Sequence, residues 1–142
     1  MEHNSENMTR VNHEKLTRFV SRSFEKLGVT SGDAEIAAKV LVAADLRGVD
    51  THGVIRFSPQ AWYVKWLTEG SMTARPNIRV ISESSSTALI DGDRGMGMVI
   101  GHRAMEWRFA RRKSPASVWL ACVTAATMAC RRITRCSLCL MT

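Results

Sequence analysis

Thr51, His52 and Arg56 fall within the stretch "DLRGVDTHGVIRF", Asp45 to Phe57. An imidazole titrates near neutral pH and can pass a proton to or from a carbonyl or hydroxyl oxygen. A guanidinium holds a carboxylate through two parallel hydrogen bonds. Together they suit a 2-oxo or 2-hydroxy acid, with the carboxylate on Arg56 and the reacting oxygen near His52. If the backbone is helical here, the two side chains share one face at i and i+4. The spacing alone also fits His52 as a helix cap and Arg56 as a solvated surface charge.

Helices on both sides must hold this block. From Asn12, an N-cap candidate, Leu16, Phe19, Val20, Phe24 and Leu27 recur at helical spacing until Gly28 stops the run. A second helix is expected to start after Ser31 and to carry Asp33 and Glu35 in its first turn. It should bury Ile36, Val40, Leu41 and Ala44 before ending near Gly48. A third is expected from Ser58, a cap candidate, through Pro59 to Glu69, with Gly70 closing it. Its Trp62 and Trp66 share a face, which fits core or interface better than a ligand cage. After "TARPN" the period becomes that of strands: Ile78 to Ile81 and Thr87 to Asp91, with "SESSS" between them and "DGDRG" ending the second. A fourth helix then spans Val99 to about Arg112. The run Gly95-Met-Gly-Met-Val-Ile-Gly101 has the look of a dinucleotide loop. No acidic residue follows about twenty positions on, however, and the flanking order is not a clear βαβ unit. A backbone turn with close helix packing is the expected use of these glycines.

The last part of the chain has a different composition. From Trp107 to Thr142 there is no Asp or Glu, the last glycine is Gly101, and Cys122, Cys130, Cys136 and Cys139 are the only cysteines. The preceding part is formally neutral, so the net charge of +7 belongs to this tail. A cytoplasmic protein is expected from the polar start "MEHNSENMTR", which lacks an apolar signal core, and from the absence of a run long enough for a membrane span. Reduced thiols follow from that compartment. Cys136-Ser-Leu-Cys139 has CxxC spacing but neither a second pair nor a nearby histidine, so no metal site is expected.

The order "AAKVLVAADLRGVDTHGVIRF" then "ARPNIRVISESSSTALIDGDRGMGMVIGHRAMEW" resembles the N-terminal part of the malate/L-lactate dehydrogenase family of NAD(P)-dependent oxidoreductases. Two blocks carry the resemblance: [ADE]-x-R-G-x-[DE]-[ST]-H-G-x-x-R at Asp45 to Arg56, and A-L-I-D-G-D-x-G-x-G at Ala88 to Gly97. The resemblance implies a truncated mixed α/β (α+β) fold: an N-terminal helical bundle followed by a short strand pair and a helix. It further implies that His52 is the catalytic acid/base residue and that Thr51 and Arg56 contact a small 2-oxo or 2-hydroxy acid. NAD or NADP would be held by a non-Rossmann domain later in the chain, and the full-length protein would be a homodimer, with neither nucleic acid nor membrane as partner. The expected organisation is a flexible arm over 1–10, the dehydrogenase-like part over 11–113, and a tail over 114–142.

In this family the fourth helix should lead to a strand and then to a motif near R-[DN]-S-x-H-[FYH]-G, which the printed tail lacks. One missing base at the Ser114 codon would account for this. Met128-Ala129 then forces glycine and Met141-Thr142 forces aspartate. One permitted set of third bases spells "SAGVGLACLRDSGHHGMPAYYALLAMPHD" in place of Ser114 to Thr142. The 142-residue chain is therefore expected to be a truncated, out-of-frame product. The contrasting reading is a small helical adaptor whose cationic tail contacts nucleic acid or an anionic membrane surface. Between its basic clusters, however, the tail is apolar.

Overall fold

Asn12 starts the first helix as its pattern requires. Its side-chain oxygen accepts the Glu14 and Lys15 N–H groups at 3.0 Å, and helix α1 runs His13–Lys26. These two donors would otherwise lack partners at the helix start. Asn12→Ala is expected to cost about 1 kcal/mol, seen as a lower urea midpoint with an unchanged slope. Gly28, at φ +89°, ends the helix in a conformation that side chains resist. The computed structural model describes residues 10–58, 62–84, 87–110 and 119–123. The arm expected over 1–10 thus lies outside the described residues except for Arg10.

Helix α2 spans Ser31–Leu46, and Thr30 rather than Ser31 caps it. The Thr30 hydroxyl accepts from the Asp33 N–H and donates to the Asp33 carboxylate at 2.9 Å. Ala34, Ala37, Ala38, Leu41 and Val42 form the buried side of α2. The small residues let α1 approach closely, and Val20 and Phe24, both fully buried, fill the interface. The sequence pattern placed Phe19 among the apolar positions of α1, yet it stands 63% exposed. Five apolar positions wrap more of the helix circumference than one neighbouring helix can cover, and Phe19 lies beyond the covered stripe. Ile36, Val40 and Ala44 are partly buried.

Helix α3 is described over Trp62–Thr68, and residues 59–61, where its start was expected, lie outside the described residues. Strands β1 (Arg79–Glu83) and β2 (Thr87–Asp91) pair antiparallel, with a shift of register between Val80 and Ser82. Helix α4 spans Gly97–Ala110 and lays Ala104 against Ala88 and Ile90 of β2. Arg103 of α4 meets Asp33 of α2 at 3.1 Å, which ties the helical layer to the sheet layer. The Asp33 carboxylate holds the Arg103 charge and pushes its pKa up further.

A third strand, β3 (Trp119–Val123), pairs parallel with β2, giving the order β1-β2-β3. The expected antiparallel pair is present and β3 extends it, where the resemblance puts a strand after the fourth helix. One expectation is corrected: β2, α4 and β3 form a βαβ unit. A parallel neighbour demands a crossover, and α4 supplies it. The remainder of the tail, including the CxxC pair, lies outside the described residues.

Candidate active site

The block Asp45–Phe57 leaves α2 and folds into two 3-10 turns, Asp50–His52 and Val54–Phe57, joined at Gly53. The expected single helical face is therefore absent, since Gly53 takes an extended conformation (φ −87°, ψ −153°) between the turns. His52 and Arg56 nevertheless meet around Thr51. The Thr51 hydroxyl lies 3.0 Å from His52 Nδ1, and Arg56 Nε donates to the Thr51 carbonyl. One residue thus touches the imidazole with its side chain and the guanidinium with its backbone.

Neighbouring elements fix this arrangement. Arg56 N–H donates to the Gly53 carbonyl at 3.0 Å, and His52 N–H to the Val49 carbonyl at 2.9 Å. The guanidinium stacks 4.7 Å from the Trp62 ring centroid, a cation–π contact, and Trp62 and Trp66 lie 5.2 Å apart. Behind the turn Phe57 packs on Phe24 at 4.5 Å between ring centroids, and Tyr63 meets Phe24 edge-on at 6.2 Å. Burial pushes the Tyr63 phenol up from its ordinary value, and the nearby Arg56 charge pulls partly back. The α1–α2 core therefore reaches directly to the underside of the turn.

Thr51 and His52 are exposed and Arg56 is half-buried. Around them stand the exposed apolar side chains Leu46, Val49, Ile55 and Trp62. An imidazole surrounded by water gains little from pre-set dipoles, so such a site needs a covering surface to work well. A separate cleft of about 430 Å³ opens between β1, α4 and the start of α2, and none of the three residues lines it. Its Arg79 and Arg103 are engaged by Asp91 and Asp33.

Sequence reasoning named Thr51, His52 and Arg56 but assigned no role to Asp45, and it read the Trp62 face as core or interface, whereas Trp62 is exposed and stacks on Arg56. The only available signals were the place of Asp45 at the head of the block and the distance of Trp62 from Arg56, which is short only because the turn folds back. Among the described residues no cluster of His, Cys, Asp and Glu could hold a metal ion. Gly97 and Gly101 of the glycine run lie within α4. A Cβ on Gly95 would fall 2.6 Å from Pro76 Cγ, so close packing against this loop requires glycine there.

This fold and turn define a class. The malate/L-lactate dehydrogenase family model matches residues 11–131, and the chain belongs to that family. The match runs past Lys113 and across β3. Malate dehydrogenase of Pyrococcus horikoshii is 46% identical over 108 residues, covering 76% of this chain and 29% of that protein. L-sulfolactate dehydrogenase of Methanocaldococcus jannaschii is 44% identical over 90 residues, covering 63% and 25%. The solved structure of the Pyrococcus horikoshii malate dehydrogenase superposes with a TM-score of 0.79 at 40% identity, over 88% of this chain and 35% of that one. The chain thus spans less than a third of the length of these curated relatives.

Proposed function

We propose that this chain is the N-terminal part of an NAD(P)-dependent dehydrogenase acting on a small 2-hydroxy or 2-oxo acid, malate- or sulfolactate-like in chemistry. The observation that carries the reading is Thr51 holding His52 and Arg56 together on one exposed turn, inside a fold whose relatives are malate and sulfolactate dehydrogenases. With Nδ1 of His52 engaged by the Thr51 hydroxyl, Nε2 is the atom left to give or accept the proton of the substrate oxygen. Arg56 anchors the carboxylate, and Thr51 touches both groups and the substrate. The nicotinamide, when bound, supplies the hydride, and residues beyond those described would hold it. The full-length protein would be a homodimer in the cytoplasm. Among the described residues no helix is long and apolar enough to cross a membrane.

A one-base change of frame within or near the Ser114 codon would account for the acid-free, glycine-free composition of the tail. Reading the nucleotides across codons 110 to 120 tests it directly, since an intact frame removes the idea. The 142-residue chain is expected to oxidise no NADH or NADPH with any of a panel of 2-oxo acids, because it spans less than a third of its curated relatives and the resemblance puts the cofactor in a later domain. Measurable oxidation by the purified chain would contradict both the truncation and the assignment of the cofactor to a later segment.

A further inference from the structure

We propose that Asp45 is a positioning residue, whose carboxylate sets the turn that carries Thr51 and His52 before Gly53 and Arg56 after it. The inference rests on reading His52 and Arg56 as the substrate-handling pair. Asp45 sits in the last turn of α2, half-buried, and its Oδ2 accepts the Val54 N–H at 2.9 Å. Its other oxygen lies against Gly53. A Cβ built on Gly53 would stand 1.5 Å from Asp45 Oδ1 and 2.3 Å from its Cγ. The backbone angle at Gly53, φ −87°, is open to any residue, so space rather than torsion demands glycine there. The carboxylate fills the place a side chain would take and grips the next amide.

This contact fixes the two chemical groups at once. Arg56 N–H takes its acceptor from the Gly53 carbonyl, so the second 3-10 turn starts from a peptide held by Asp45. The first turn closes on the same residue, since Gly53 N–H donates to the Asp50 carbonyl at 3.1 Å. A helix buried against α1 thereby dictates the geometry of an exposed loop. A hydrogen bond to an ionised carboxylate is stronger than a neutral one, which suits it to holding a turn that water can reach on its other side.

The test uses the isotope-labelled 142-residue chain, reading amide exchange at Val54 and the imidazole nitrogen signals of His52. Asp45→Ala is expected to speed Val54 exchange about tenfold or more and to shift the His52 Nδ1 signal toward that of a free imidazole. The Leu41 amide should stay protected. Asp45→Asn keeps an acceptor and should keep Val54 slow. Gly53→Ala should reproduce the loss, and adding Asp45→Gly should recover part of it, because the new methyl then has room. Unchanged Val54 and His52 signals in Asp45→Ala would overturn the proposal, as would independent, multiplicative effects of Gly53→Ala and Asp45→Gly. If Asp45→Ala also exposes Leu41, the other variants decide: Val54 lost in Asp45→Asn with Leu41 intact overturns it. None of these signals needs turnover. A failure here is therefore distinct from a failure of the proton-transfer role of His52, which only kinetics can reveal.

Discussion

His52→Ala, made in a full-length protein with the frame restored, is expected to lower kcat by about 10²- to 10⁴-fold while changing substrate binding far less. General acid–base groups act on the proton in the transition state, so their loss appears mainly in turnover. Arg56 provides the contrast. On the proposed reading it would grip a carboxylate present in both ground and transition states, so its removal should raise KM first. Single-turnover and steady-state kinetics on the two variants separate these outcomes. Near-normal turnover by His52→Ala would end the assignment, and the hydroxyl of Thr51 at 3.0 Å from Nδ1 would then be a structural contact alone.

The second large effect lies in the core. Phe24 is fully buried and touches both Phe57, at the end of the turn bearing Arg56, and Tyr63 of α3. Phe24→Ala is expected to cost about 3–5 kcal/mol, through the lost transfer energy and the cavity left between α1, α2 and the turn. That is a large share of the stability of a domain this size. Chemical denaturation should show it as a strongly lowered midpoint. A loss under about 1 kcal/mol would mean that the site collapses onto neighbours and that Phe24 does not support the turn.

Much of the helical layer was legible because its signals are local. Asn12, Gly28 and the period of Val20 and Phe24 mark α1 without reference to anything distant. Phe19 misled because spacing tells which residues share a side of a helix, not how wide the neighbouring surface is. The residues of the turn at Gly53 suggested a chemistry, but its geometry was not legible. The reason glycine stands there is a carboxylate eight positions earlier in the chain, and no local pattern records that clearance. Strand β3 stands where the resemblance puts a strand after the fourth helix, and its apolar run Trp119–Val123 has strand character in its own right despite the acid-free, glycine-free tail around it.

The pose of Arg56 bears on how readily an acid enters. Its guanidinium already lies on the Trp62 ring and donates to the Thr51 carbonyl. If Arg56 anchors the substrate as proposed, an incoming carboxylate would trade partners with a latched cation instead of meeting a bare one. The stacking alone is worth about 0.5–1 kcal/mol at an exposed position, and the displaced backbone bond adds to it. Neutral mimics, which bring no carboxylate to pair with the guanidinium, would leave the latch shut, so discrimination would begin before any proton moves.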